Sequence, residues 1–235
     1  MDNCTAKKED PSNCHGCALC GHGLLAGASS AAISAWNEAK KIRNYPRGAT
    51  LFREGEPSQG LYCTYSGLIK LYRASLHGEI QIVRLITGLH VVGHRSLLAQ
   101  EPMSATAVAL RDTRLCFVDR LAVANCLRLD STLAVNLACL LARELGQAES
   151  RLFSLSCHNT RARLARLLLE IRQDNGFAVE LTRVEMGQII GVSPESVSRA
   201  LQGLSRAGAL RLVKRKIALE DPQILEDCAH DPRDD

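Results

Sequence analysis

Two groups of side chains in this sequence have types and spacings suited to chemistry. The first is Cys14-x-x-Cys17-x-x-Cys20, with Cys4 upstream. Three soft thiolates at such short intervals suit an iron–sulfur centre; with Cys4, His15 or His22 as a fourth donor they also suit tetrahedral zinc. Residues 1–23 carry little apolar material, so this segment reads either as a tail awaiting a ligand or as a flexible tail with idle thiols. The second group is Glu195, Ser196, Ser198 and Arg199. Glu195, Ser198 and Arg199 stand at i, i+3 and i+4, so on a helix they project together. Arg can grip guanine O6 and N7 bidentately and Glu can accept from cytosine N4. The plainer alternative is three solvated residues on an amphipathic helix.

The elements that must position this second group are punctuated clearly. Thr182 followed by Glu185 forms a capping box opening a short helix over 184–190, and Gly191 ends it. Ser193 caps a second helix, Pro194 suits its first position, and Gly208 supplies the stop after Leu204. Ile189, Ile190, Val192, Val197, Leu201 and Leu204 form the apolar side. Residues 209–213 and 216–220 read as strands joined at Lys214-Arg215, a basic wing placed for phosphates. The order is that of a winged helix-turn-helix. Upstream, Asn159 caps a helix over 161–173, whose Arg161, Arg163 and Arg166 either reach phosphates or stay solvated.

Charge agrees with this reading. The net charge is +4, but residues 151–216 hold twelve Lys/Arg against five Asp/Glu, which leaves the remainder at −3. Such asymmetry suits nucleic acid. No apolar run reaches the roughly 20 residues needed to span a bilayer, and the polar N-terminus lacks a signal-peptide core, so the expected location is cytoplasmic, with no membrane partner. No nucleotide-binding loop or catalytic constellation appears, which argues against an enzyme; a redox enzyme or electron carrier using the cysteines is the rival class.

Between the two groups, glycines at 48, 55, 60, 67, 78, 88 and 93 punctuate short β-rich runs from Arg47 to Val118. This predicts an antiparallel roll. A helix over 31–42 precedes it and carries the single tryptophan, Trp36, as a packing anchor. Residues 131–155 carry Leu133, Leu137, Leu141, Leu145, Ala148, Leu152 and Leu155 at three- and four-residue steps, flanked by Glu144 and Glu149. That stripe suits a partner helix, with ordinary intrachain core as the alternative. Cys116 alternates with Leu115 and Phe117 as a small core residue would, and Cys63, Cys126, Cys139 and Cys157 read as core or helix packing. His77, His90 and His94 are candidates for haem or metal, or simply solvated.

Ser193-Pro-Glu-Ser-Val-Ser-Arg-Ala-Leu201 resembles the recognition helix of the CRP/FNR transcription factors, and its Glu-x-x-Ser-Arg form is similar to the FNR branch. Arg47-Gly-x-x-Leu-Phe-x-x-Gly55 and Tyr65-Ser-Gly-x-Ile-Lys70 resemble the effector domain of the same family. The resemblance implies a homodimer on a TTGAT…ATCAA-type palindrome, with RNA polymerase as a further partner. It also implies a [4Fe–4S] cluster on three N-terminal cysteines and one distant cysteine, whose place Cys116 holds. The family pattern Cys-x2-Cys-x5-Cys is altered: Cys14 and Cys20 keep the x5 gap, Pro11 stands at the first cysteine position, and Cys17 substitutes for it. The resemblance thus points to Cys14, Cys17, Cys20 and Cys116, with Cys4 as alternate. Cyclic nucleotide is not expected, because His94 follows Gly93 where the family's ribose-binding acid stands and Met103 replaces the phosphate-binding Arg. The same reader with haem, zinc or a small effector in the roll is the alternative.

The expected fold is α+β: a cysteine-rich segment over 1–30, a cupin- or cyclic-nucleotide-binding-like antiparallel β-roll over 31–128, a dimerisation helix over 129–157 and a winged helix-turn-helix over 158–235.

Overall fold

The computed structural model describes residues 14, 17, 23–172, 177, 181–213 and 216–230. Cys4, His15, Cys20, His22, Lys214 and Arg215 lie outside the described residues. The chain divides into two compact units, Met1–Gly78 with Val83–Glu144, and Glu79–Ile82 with Leu145–Asp235.

In chain order, helix α1 (Ser30–Ala39) is followed by β1 (Lys41–Tyr45), β2 (Thr50–Phe52), β3 (Gly60–Ser66), β4 (Leu68–Ala74), β5 (Ile80–Thr87), β6 (His90–Val92), a short α2 (His94–Ala99), β7 (Thr106–Ala109), β8 (Thr113–Asp119) and α3 (Arg120–Leu129). The strands form two four-stranded sheets, β1-β8-β3-β6 and β2-β7-β4-β5. Alternation along β3 and β8 sorts their side chains between two cores. Tyr62, Leu115 and Phe117 turn toward the opposing sheet and pack with Phe52, Ile69, Ile86 and Met103. Tyr62 stacks between Phe52 and Phe117, at centroid distances of 5.2 and 5.0 Å. Leu61, Cys63 and Val118 turn outward, onto a layer made by Trp36 of α1 and Val123 and Cys126 of α3. Trp36 is buried there as the anchor its composition predicted.

Helix α4 (Thr132–Cys157) follows. Leu133 and Leu137 belong to the roll's outer core and are 0% and 1% exposed. This corrects their assignment to a dimer seam: the first turns of α4 are packed on their own chain, so these two leucines have no surface left for a partner. Leu141 is half-buried, while Leu145, Ala148 and Leu152 are exposed. Phe153, absent from the predicted stripe, is exposed beside them. Of the four cysteines expected in core or helix packing, Cys63 and Cys126 are buried, while Cys139 and Cys157 are exposed on α4 and are not core.

The second unit continues with α5 (Thr160–Glu170), α6 (Arg183–Ile190), α7 (Pro194–Arg206), the antiparallel pair β9 (Leu210–Val213) and β10 (Lys216–Leu219), and α8 (Pro222–His230). Leu164, Leu168, Met186, Val197, Leu201, Leu204 and Leu225 are among its buried side chains. No helix among the described residues is long and apolar enough to cross a membrane.

Candidate DNA-reading helix and thiol site

The chemistry of α6 and α7 begins with their caps. The Thr182 hydroxyl accepts from the Glu185 amide at 3.1 Å while Glu185 accepts from the Thr182 amide at 2.9 Å, the reciprocal pair expected from the sequence. Gly191 ends α6 at φ +71°, a conformation that disfavours a side chain. Gly187 has a second role: a Cβ there would lie 2.5 Å from the Val192 carbonyl, so a residue with a side chain would force the two helices apart. Ser193 caps α7 by accepting from the Ser196 amide at 3.3 Å, with Pro194 in the first turn.

Val197, Leu201 and Leu204 bury one side of α7, which leaves Glu195 and Arg199 exposed at its N-terminal end. Arg199 Nη2 donates to the Ser196 hydroxyl at 3.2 Å, which orients the guanidinium along the helix start. The Ser198 hydroxyl instead donates to the Pro194 carbonyl at 3.0 Å, so it is engaged within the helix. The Glu195 carboxyl is held below its usual range, first by its own backbone N–H and then by the Ser193 hydroxyl.

Arg161, Arg163 and Arg166 are half-buried and have partners within the chain. Arg163 Nη1 donates to the Ile190 carbonyl at 2.8 Å, Arg166 Nε donates to the Ala229 carbonyl at 2.8 Å, and Arg161 Nη2 lies 3.4 Å from Cys228 Sγ. Arg163 and Arg166 tie α5 to the last carbonyls of α6 and α8, where helix ends leave acceptors unsatisfied, and Arg161 meets a side chain of α8.

The second site lies on the outer face of the roll. Cys14 is buried, its amide donates to Asn37 Oδ1 at 2.9 Å, and Lys40 Nζ lies 3.3 Å from its sulfur. Cys17 follows in a turn, its amide on the Cys14 carbonyl at 3.2 Å. Cys14 is part of the roll's outer core, and Cys17 and Cys116 pack against it. Thus Cys116 does not face the roll interior with Leu115 and Phe117; it faces the terminal cysteines. Its partner across the strands is Cys63, buried in the same outer core. Burial pushes the Cys63 thiol up, and the neighbouring Cys116, Cys14 and Cys17 push it further. Burial raises Cys116 too, while Lys40 pulls it back. Among the described residues no three His, Cys, Asp or Glu side chains close around a single metal position. The donor set is nonetheless soft, thiol-rich and backed by a cation, the chemistry an iron–sulfur centre uses.

Residues 42–130 match the cyclic nucleotide-binding domain family and residues 162–228 match the Crp-like helix-turn-helix domain. The chain is 34% identical to the cyclic AMP receptor protein of Thermus thermophilus over 88% of its own length and 95% of the relative's. The chain belongs to the CRP/FNR family of DNA-binding transcription regulators. Members of this family are regulators rather than enzymes. It is also 25% identical to the fumarate and nitrate reduction regulatory protein of Escherichia coli, over 82% of this chain and 80% of that one. Among solved structures, FixK2 from Bradyrhizobium japonicum superposes with a TM-score of 0.75 at 26% identity, covering 80% of this chain and 96% of that one. In this roll Met103 is buried in the apolar core, and the buried His94 is hydrogen-bonded to Glu144.

Proposed function

We propose that this regulator acts as a homodimer on a TTGAT…ATCAA-type palindrome, under control of a [4Fe–4S] cluster that responds to oxygen, nitric oxide or redox state. Cys14, Cys17, Cys20 and Cys116 are the ligands, with Cys4 as alternate. The observation that carries this reading is the convergence of Cys14, Cys17 and Cys116 on one outer face of the roll, from opposite ends of the sensory unit. When bound, the cluster supplies an electron- and oxygen-responsive iron centre. The chain's own residues seat it: Asn37 fixes the Cys14 backbone, and Lys40 offsets thiolate charge. At the other site, Glu195 and Arg199 read base edges, Ser196 orients Arg199, Ser198 steadies the helix, and Lys214 and Arg215 contact phosphates. Leu141, Leu145, Ala148 and Leu152 form the seam with the partner helix, and RNA polymerase is the further partner in the cytoplasm.

A second reading, a small effector in the roll, is supported by the match of residues 42–130 to a nucleotide-binding family. Against a cyclic nucleotide stands Met103, because a buried cyclic phosphate there would lack a compensating cation. The deciding experiment is iron and acid-labile sulfide content with the visible spectrum, on protein purified without oxygen and then exposed to air. Stoichiometric cluster that air destroys, and that Cys116→Ser cannot hold, is the expected result. Absence of iron and sulfide after reconstitution would sink the cluster reading and move the effector to the roll, where a cyclic AMP titration is the next measurement.

A further inference from the structure

Cys63 has no part in the DNA-reading helix or among the ligands assigned to the thiol site, yet strand register fixes it against a residue that has. Strands β3 and β8 are the two central strands of the sheet β1-β8-β3-β6. Their pairing runs evenly from Gly60↔Asp119 to Thr64↔Leu115, with Cys63 directly opposite Cys116, and shifts only between Thr64 and Ser66. Each cysteine is also paired on its other side, Cys63 with Val91 of β6 and Cys116 with Ile42 of β1. Directly opposed residues of antiparallel strands share a face, and here that face is the outer core. Both side chains are free thiols.

Directly opposed antiparallel residues have Cα atoms about 4.5 or about 5.5 Å apart, according to whether the pair is hydrogen-bonded. A disulfide takes Cα separations of about 4.4–6.8 Å, so either kind of pair accommodates one. Pairing on both sides keeps the two strands from drifting apart. Cys14 and Cys17, by contrast, sit together in a turn of the terminal segment, outside the ladder. Exposure separates the two strand thiols: Cys116 is half-buried, whereas Cys63 is 4% exposed. A small oxidant therefore meets Cys116 first, with a second thiol held behind it. Reversibly oxidised cysteines stand in this relation to a resolving cysteine.

We infer that Cys63 is the resolving cysteine of Cys116, so that oxidation of Cys116 by hydrogen peroxide ends in a Cys63–Cys116 disulfide across the strands. In the first step the Cys116 thiolate attacks one peroxide oxygen; an S–O bond forms, the O–O bond breaks, and hydroxide leaves with a proton as water. In the second the Cys63 thiolate attacks the Cys116 sulfur; the S–S bond forms, the S–O bond breaks, and the hydroxide leaves as water with the proton given up by Cys63. Two thiols lose two electrons and one peroxide becomes two waters. Thiols reduce a disulfide but do not restore a sulfinic acid, so Cys63 keeps the oxidation of Cys116 reversible. The inference holds whether or not Cys116 ligates iron. Where it does, cluster and disulfide exclude each other, because both use the same sulfur.

The test takes the full-length chain, freed of iron with a chelator and reduced, through hydrogen peroxide, catalase, iodoacetamide in denaturant and trypsin. Cleavage after Arg53, Lys70, Arg114 and Arg120 places the two residues in separate peptides, 54–70 and 115–120, each with a single cysteine. The expected product is these two peptides joined, two hydrogen atoms lighter than their sum and separated by a thiol reductant. In Cys63→Ser the same treatment is expected to leave several-fold more Cys116 as sulfinic acid, which the reductant does not remove. If Cys63→Ser does not fold, Cys63→Ala takes its place. Joining of Cys116 to Cys14 or Cys17 in the native chain overturns the inference. So does equal sulfinic acid in native chain and variant, or survival of both thiols at a peroxide dose that oxidises the exposed Cys139. Iron is not read in this experiment, so the cluster reading and this one fail separately.

Discussion

Helix α7 reaches its geometry through signals a few residues away: Ser193 caps it, Pro194 starts it, and Val197, Leu201 and Leu204 choose its buried side. The thiol face of the roll is assembled differently. Cys14 and Cys17 come from the terminal segment, Lys40 from the end of α1, Cys63 from β3 and Cys116 from β8. The contrast teaches that a base-reading surface needs only one well-capped helix with a defined apolar stripe, whereas a multi-thiol site exists only once the roll and its outer layer have formed. Damage to packing is therefore expected to reach the thiols and spare the reader, while damage to caps or to Arg199 does the opposite.

The largest effect is expected from Leu137→Ala, which opens a cavity in the outer core shared with Cys14 and Cys63. A loss of about 2–5 kcal/mol of stability is expected, with faster alkylation of Cys63 by iodoacetamide in the native protein. Leu152→Ala, on the exposed part of the same helix, is the matching control: little change in the fold, but a dimer that dissociates at higher protein concentration in sedimentation equilibrium. An identical loss of thermal stability in both variants at a concentration where each is monomeric would break the division of α4 into core and seam.

Arg199→Ala is expected to weaken binding to the palindrome by about 1–3 kcal/mol and to relax discrimination at one base pair per half-site. Fluorescence anisotropy on matched and mismatched duplexes checks this; an equal loss on both would make Arg199 a phosphate contact. Thr182→Ala removes half of a reciprocal cap and is expected to cost about 1 kcal/mol, read from chemical denaturation, with the thiol alkylation rate unchanged.

The smallest effect concerns pH. Asp130 accepts from the Ser29 amide and from Thr132, contacts that lower its carboxyl from 3.8 to about 2. A folded value below the unfolded one means that the stabilisation is present above the ordinary carboxylate value and fades as pH falls through about 2. The difference in melting midpoint between the native chain and Asp130→Asn is therefore expected to be constant near neutrality and to shrink on acidification. A difference that grows toward low pH would remove this role from Asp130.

Much of the fold was legible because its signals are local. Glycine spacing announced the roll, and the capping box, Ser193 and Asn159 announced their helices; Asn159 Oδ1 accepts from the Ala162 amide at 2.8 Å, as a cap does. Less legible were residues whose partners lie far along the chain. Nothing near Glu144 in sequence reveals Arg84 or His94, and Arg163 reads as a surface cation until the end of α6 is brought beside it. Leu133 and Leu145 are indistinguishable by spacing, since periodicity defines a face of a helix but not which part of that face meets its own chain.

The sequence by itself determined the reader: its helices, turn and exposed Glu195 and Arg199 follow from capping, glycine and apolar period, all of which act within one or two helical turns. It also determined that thiols gather near the N-terminus. Tertiary structure alone decided that Cys116 meets Cys14 and Cys17 with Cys63 opposite it, that Leu133 and Leu137 of the leucine stripe are core, and that Glu144 is held by Arg84 and His94. These are matters of strand register and layer packing, and such contacts join residues that no local signal relates.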